Sequence, residues 1–315
     1  MNYIVLDLEW NQSNIGEEGR DKLLPFEIIE IGAVKLNHDA KMISKFSELV
    51  KPQVYHEMHH ITGKLVHLQM DELRKGRVFS EVMSEFLEWC GEDYIFCTWG
   101  PLDLLELQRN MEYYQMIPLA CNAIKFYDVQ KLFSLAYEDE KTRKTLEYAV
   151  DYFKIEKDIE FHRAYSDAYY TGKVLEKLVQ SPHIMEKVSF DTYHLPQTKK
   201  DEIKVVFHDY AKYISREFDE KAALLADREV ISTKCYICHK NLKKKVKWFT
   251  PNGKHYYSIS YCNIHGFMKS KIRIKKSVGD NVYAIKTSKF VEEKDVKEIL
   301  ARKRKIQNTK DKKKV

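Results

Sequence analysis

Asp7 and Glu9 stand two residues apart in the apolar run Tyr3-Ile4-Val5-Leu6-Asp7-Leu8-Glu9-Trp10. In an extended strand residues i and i+2 face the same way, so both carboxylates project from one face while Leu8 turns to the core. Like charges held side by side away from water are costly unless a positive group stands between them. A divalent cation that prefers oxygen ligands, magnesium or manganese, is the simplest compensator. Two further acids head predicted helices: Asp103 behind Trp99-Gly100-Pro101, and Asp167 five residues after His162. Helix starts favour carboxylates on their own account, so these two could simply favour their helices. Equally, four acids from three distant segments and one histidine would compose a two-metal site for phosphodiester cleavage.

The elements that must position these residues follow from periodicity. The opening run reads as a central strand buried on both faces. Phe26 to Leu36 and Met42 to Val50 follow as strands, joined by the short turn Asn37-His38-Asp39, which gives an antiparallel meander. The polar loop from Asn11 to Leu24 is expected to be mobile. A helix over 80–90, a short buried strand over 94–99 and a helix over 102–115 come next. Strand 124–129 runs into a helix at 130–137, then helices over 142–153 and 164–180, the last stopped by Ser181-Pro182. This order predicts an α/β fold, a mixed five-stranded sheet flanked by helices over residues 1–182. Residues 183–234 read as a linker and a long amphipathic connecting helix from Val205 to Asp227, with Val206, Tyr210, Ile214, Phe218, Ala222 and Leu225 as its stripe.

A second constellation lies beyond it. Cys235-Tyr236-Ile237-Cys238 and Cys262-Asn263-Ile264-His265 are two ligand pairs of equal internal spacing, the pattern of a structural Cys3His zinc site. His239 or His255 could replace His265 as the fourth ligand. Residues 235–306 form a basic zinc-binding module with a hairpin around Pro251-Asn252-Gly253-Lys254, a strand over 282–287 and a C-terminal helix from Glu293 to Ile306. Lys245, Lys247, Trp248, Lys271, Arg273 and Lys275 interleave cations with aromatics, which suits single-stranded nucleic acid. In the alternative, the aromatics form the small core and the lysines solvate it. The last nine residues, 307–315, read as a disordered basic tail.

Charge divides the same way. Residues 1–234 hold 30 Lys/Arg against 41 Asp/Glu, whereas residues 235–315 hold 23 against 6. An acidic body with a basic appendage suits a polyanionic partner at the appendage. No run approaches the roughly 18 apolar residues of a membrane helix. The start lacks a basic n-region and a cleavage site, and six cysteines in a chain this long are no disulfide framework, so a cytoplasmic protein is expected. Cys90, Cys97 and Cys121 read as small buried hydrophobes. His56, His59, His60 and His67 read as surface or hydrogen-bonded histidines.

In order, the motifs resemble the DEDDh class of 3'-to-5' exonucleases on the ribonuclease H-like fold, and among bacterial relatives the KapD-like, inhibitor-of-sporulation group. Val5-Leu6-Asp7-Leu8-Glu9 with Glu27-Ile28-Ile29-Glu30-Ile31-Gly32-Ala33-Val34 resembles the first motif, and Thr98-Trp99-Gly100-Pro101-Leu102-Asp103 the second. His162-Arg163-Ala164-Tyr165-Ser166-Asp167-Ala168 resembles the third, with the spacing of the histidine-bearing branch. His60-Ile61-Thr62-Gly63 resembles the substrate-side loop after the third strand. The resemblance implies that Asp7, Glu9, Asp103 and Asp167 hold two Mg2+ or Mn2+ ions, with His162 as general base. It implies terminal nucleotides held by Trp10, the His60-Ile61-Thr62 loop, Trp99 and Tyr165, although Trp99 could equally be core. Glu30 could face the site or be satisfied by a neighbouring base. The expectation is a metal-dependent 3'-to-5' exonuclease acting on single-stranded RNA or DNA, leaning toward RNA; the alternative is a non-catalytic nucleic-acid adaptor on the same scaffold. No protein partner is legible, and a protein-docking role for the zinc module is a third option.

Overall fold

In the computed structural model, which describes residues 1–16, 18–138, 142–277 and 280–311, the opening apolar run becomes strand β1 (Asn2–Asn11). It pairs antiparallel with β2 (Glu27–Leu36), which pairs in turn with β3 (Met42–Leu49). Short helices α1 (His60–Val66) and α2 (Met70–Leu73) and the longer α3 (Phe79–Cys90) follow. β4 (Tyr94–Thr98) then lies parallel to β1 on its other side. After α4 (Leu102–Tyr113), β5 (Lys125–Asp128) adds a further parallel strand. The rest of this unit is α5 (Val129–Tyr137), α6 (Leu146–Tyr152), α7 (Ala164–Leu178), α8 (Pro182–Met185) and β6 (Ser189–Phe190).

The sheet order is β3-β2-β1-β4-β5-β6. It has six strands where five were expected, because the two-residue β6 pairs with Lys125 and Phe126 at the edge and is too short to leave a periodic signal. Successive residues of β1 feed opposite layers. Ile4, Leu6 and Leu8 pack with Phe86 and Leu104 on one side, and Val5 packs with Phe133, Tyr170 and Leu175 on the other. Asp7 and Glu9 continue the face of Val5, the face that α7 covers. Cys90 and Cys97 are buried as expected, but Cys121 is exposed because it falls in an irregular segment before β5 rather than in a packed element.

The chain divides after His194 into compact units Met1–His194 and Leu195–Val315. In the second unit, the expected long helix over 205–227 is instead two strands, β7 (Ile203–Val206) and β8 (Ala211–Ile214), and the six-residue helix α9 (Lys221–Ala226). The apolar stripe at every fourth residue misled because β8 finds a partner strand far along the chain, and such pairing overrides local pattern. The hairpin closes through the Phe207 N–H donating to the Tyr210 carbonyl at 2.8 Å. β9 (Lys243–Phe249), β10 (His255–Cys262), β11 (Gly266–Lys276) and β12 (Val282–Val291) complete a second six-stranded sheet, ordered β7-β8-β12-β11-β10-β9. The C-terminal helix α10 (Glu293–Asp311) packs Val296, Ile299 and Leu300 onto Val246, Tyr257 and Ile259. It continues through 307–311, where disorder was expected; residues 312–315 lie outside the described residues. Among the described residues no helix is long and apolar enough to cross a membrane.

Candidate active site

Three carboxylates meet at the end of β1. Oxygens of Asp7, Glu9 and Asp167 lie within 4.8 Å of one another. Asp167 reaches them from the first turn of α7. Asp103, in the first turn of α4, is buried, and its Oδ1 accepts the Leu8 N–H at 3.3 Å, which ties α4 to the strand between the two acids. Asp103 lies outside the 4.8 Å group, yet among neighbouring charges it acts most strongly on Asp7. His162 sits on the exposed turn before α7 with φ +65°, a left-handed conformation uncommon outside glycine. Its backbone N–H approaches Asp167 Oδ1 at 3.4 Å. The five residues thus come from three chain segments to one end of β1.

The electrostatics follow from crowding. Burial, then Asp103, Asp167, Glu9 and Glu30, raise Asp7 well above the ordinary carboxylate range. Burial and the charges of Asp167, Glu30 and Asp103 push Glu9 up to about 8, opposed by Arg163. Burial pushes Asp103 to about 7 against two backbone N–H groups, its own and that of Leu8. Asp167 rises to about 6, again through burial, with the His162 N–H and ring pulling the other way. Four such acids fit divalent cations: the donors are all hard oxygens, and each is charged only at a cost that a cation would remove.

Three residues that place the acids carried little signal in the sequence. Gly32 lies opposite Asp7 in the β1–β2 register. A Cβ there would stand 2.0 Å from the Ala164 carbonyl carbon and 2.1 Å from the Tyr165 nitrogen, so only glycine lets α7 descend far enough to present Asp167. Glu30, opposite Glu9, is buried and accepts a two-pronged bond from Arg163, at 3.0 Å to Nε and 2.9 Å to Nη2. Its role is therefore to anchor the residue between His162 and α7. Buried Glu27 accepts N–H groups of Gln53, Val54 and Tyr55 and the Tyr114 hydroxyl, fixing the segment that leads to α1. The loop expected to be mobile is tied to that same segment: Asn11 Nδ2 donates to the Tyr55 and Glu57 carbonyls, and Asn14 Nδ2 to Met58.

The expected substrate contacts divide. His60 and Ile61 are exposed, but on the first turn of α1 rather than in a loop. Thr62 is buried and donates its hydroxyl to the Trp10 carbonyl at 3.3 Å, a structural use. Trp10 follows a register shift at Glu9 and packs half-buried beside Phe26 at 5.7 Å. Trp99 packs toward Phe133, with an indole N–H that has no partner among the described residues. Tyr165 is half-buried, with Lys45 Nζ 5.1 Å above its ring.

In the second unit Cys235, Cys238, Cys262 and His265 offer ligand atoms within 4.8 Å of one another. Cys238 Sγ is 3.7 Å from Cys262 Sγ, and His265 Nδ1 lies 3.4 Å from Cys235 Sγ and 3.5 Å from Cys262 Sγ. These are edges of a tetrahedron of the size a zinc ion with bonds of about 2.3 Å to sulfur requires. His265 completes it, whereas His239 is exposed and His255 bonds Asn252. Burial opposes ionisation of Cys262, but the N–H groups of Ile264 and His265 outweigh it and draw the thiol down to about 6. Trp248 donates its indole N–H to the Ile231 carbonyl at 3.0 Å and belongs to the core, so it is no stacking platform. Lys245 and Lys247 are exposed on edge strand β9, Lys271 and Arg273 are exposed on β11, and Lys275 is half-buried over Tyr283.

No curated protein sequence matches the chain. Solved structures do. A full-length 3'-exonuclease is 18% identical over 57% of this chain and 82% of its own, with a TM-score of 0.50. A 3'-exonuclease recognising the histone mRNA stem-loop is 17% identical over 57% and 81%, at 0.49. The nuclease domain of 3'hExo, a DEDDh member bound to rAMP, is 19% identical over 57% and 92%, also at 0.49. At these identities only the shared fold is carried across, and the first comparison carries it. The family model of the RNase_T exonucleases matches residues 4–175, more than half of the chain and the stretch that supplies all five residues above. The chain belongs to the RNase_T exonuclease family.

Proposed function

We propose that the chain removes nucleotides one at a time from the 3' end of single-stranded nucleic acid, with RNA favoured over DNA. The observation that carries this reading is the convergence of Asp7, Glu9 and Asp167 within 4.8 Å, with Asp103 bonded to the strand between the first two. Asp7, Glu9, Asp103 and Asp167 would hold two Mg2+ or Mn2+ ions. Such ions, when bound, polarise the scissile phosphate and lower the cost of activating water and releasing the 3'-oxygen.

The protein's own contribution is positioning and proton transfer. His162, on an exposed turn beside Asp167, takes a proton from the attacking water at its imidazole. Water adds to phosphorus and the bond to the 3'-oxygen breaks, giving a nucleoside 5'-monophosphate and a chain with a new 3'-hydroxyl. The Arg163–Glu30 pair holds the His162 turn at a fixed angle to β1. His60 and Ile61, exposed on α1, receive the terminal nucleotide, since α1 is tied by Thr62 to the residue after Glu9. One zinc ion held by Cys235, Cys238, Cys262 and His265 braces the second unit. A reducing cytoplasmic setting suits its cysteines, none of which is in a disulfide.

The test is a time course on 5'-labelled single-stranded RNA and DNA with magnesium, manganese or EDTA. A ladder shortening from the 3' end, silent in EDTA and faster on RNA, is expected. Release of label as the first product, or a rate indifferent to EDTA, contradicts the proposal.

A further inference from the structure

Strand β11 carries Lys269, Lys271, Arg273 and Lys275 at every second position, all on one face of the second sheet. At about 3.4 Å per residue the row is about 20 Å long. The neighbouring strands extend the same face: His255 lies opposite Arg273, Tyr257 opposite Lys271, and Lys289 opposite Lys269. Helix α10 packs on this face over Tyr257, Ile259 and Phe267, near Lys269, and leans Arg302 over the Tyr257 ring at 4.8 Å, with the exposed Lys271 Nζ 6.0 Å from the same ring. Lys254, Lys271, Arg273 and Arg302 are all exposed, and none has an ion pair among the described residues. Burial and then Lys271, Arg273, Arg302 and Lys254 push the His255 imidazole below its ordinary value, whereas Lys269 at the other end of the row lies near Asp295 and Glu298 of α10. Two other lysines of this unit are spent internally: Lys204 on Glu229, and Lys286 on the carbonyls of Glu229 and Ser232.

We propose that this face, centred on Lys271, Arg273 and Arg302, binds the phosphodiester backbone of a single-stranded nucleic acid. The row is linear and suits a linear polyanion rather than a single phosphate. Among the described residues it offers no apolar anchor: the large hydrophobic residues exposed among them in this unit are Val206, Ile237 and Ile264, none of them on β10, β11 or α10. A membrane surface or a protein partner would call for such an anchor, whereas backbone recognition needs only cations. The face therefore grips without reading sequence. The Cys262–His265 ligand pair closes the turn between β10 and β11, so the zinc cluster holds in register the two strands that carry the face. The proposal rests on the exonuclease reading only for the identity of the polyanion.

The experiment measures binding rather than cleavage, so the two readings can fail separately. Full-length protein and the Lys271→Gln/Arg273→Gln variant are titrated with a fluorescently labelled 30-nucleotide single strand in calcium, with magnesium, manganese and all chelators omitted so that zinc stays in place, over a series of salt concentrations. Losing two phosphate contacts lowers the slope of log K against log salt by about 1.4. A charge-matched Lys199→Gln/Lys200→Gln variant, altered at exposed positions outside the face, keeps the wild-type slope. Equal slopes for all three proteins overturn the proposal. So does an acidic polypeptide that displaces the oligonucleotide at equal charge concentration, because the face would then be a protein-docking surface. Unchanged zinc content and melting temperature in the β11 variant exclude a folding defect.

Discussion

Asp7 is the residue on which the chemistry turns, because it is half-buried among four other acids, and desolvation and their charges leave it tolerable only protonated or beside a cation. Asp7→Asn removes the charge and keeps the shape. Cleavage is expected to fall by at least about 1,000-fold, the order associated with losing an electrostatic group at a reacting phosphate. Stability in EDTA should rise, since repulsion from Asp103, Asp167 and Glu9 is relieved. Thermal melting together with a cleavage assay checks both signs; a variant that is inactive because it is unfolded would miss the second. The raised carboxylates also fix a pH dependence. Their folded values, about 6 for Asp167, 7 for Asp103 and 8 for Glu9, exceed the ordinary range near 4, so the fold prefers them protonated. Their contribution to stability without metal is complete below about pH 4 and is lost as pH climbs through 6 to 8. Cations compete with those protons. The melting-temperature increment given by 10 mM magnesium should therefore grow from pH 6 to pH 8, and an increment that is flat or shrinks would contradict the assignment.

At the level of elements, the approach of α7 to β2 sets the site. Gly32→Ala puts a methyl group 2.0 Å from the backbone of Ala164, where nothing flexible can yield. Overpacking of this kind costs about 1–3 kcal/mol or more. The urea midpoint should drop, and cleavage should fall well beyond what lost stability explains, because Asp167 and His162 move together with α7. Unchanged cleavage by a stably folded variant would show that α7 is not held by this contact. Much of this was legible in the sequence. The Asp7-Leu8-Glu9 alternation fixed which acids share a face, and the helix-start positions of Asp103 and Asp167 brought them to the same edge. The sequence was silent where partners are distant. Nothing local says that Glu30 will meet Arg163 rather than the site, that the Thr62 hydroxyl will turn inward to Trp10, or that Trp248 will be consumed by the Ile231 carbonyl. The 205–227 segment failed for the same reason, since β8 is defined by its pairing with β12, more than sixty residues on.

At the scale of the whole molecule, an acidic catalytic unit and a basic second unit share one chain, each with its own buried clusters. The second unit has a six-stranded sheet and buried clusters of its own, so a zinc ion at the Cys3His cluster would add to an existing core rather than replace one. One zinc per chain is expected by elemental analysis. Cys238→Ser should lose it and make residues 235–291 protease-sensitive while a fragment close to residues 1–194 resists digestion. A metal-free wild-type protein, or a digestion pattern that the substitution leaves unaltered, would count against the zinc assignment.

The central claim is that Asp7, Glu9, Asp103 and Asp167 share divalent cations. Crystals soaked in millimolar manganese and measured at the manganese absorption edge test it without recourse to turnover. Anomalous peaks are predicted within about 2.3 Å of carboxylate oxygens of Asp7, Glu9 and Asp167. They should vanish in Asp7→Asn. A well-ordered site with no anomalous density, or with manganese bound away from these four carboxylates, would contradict it.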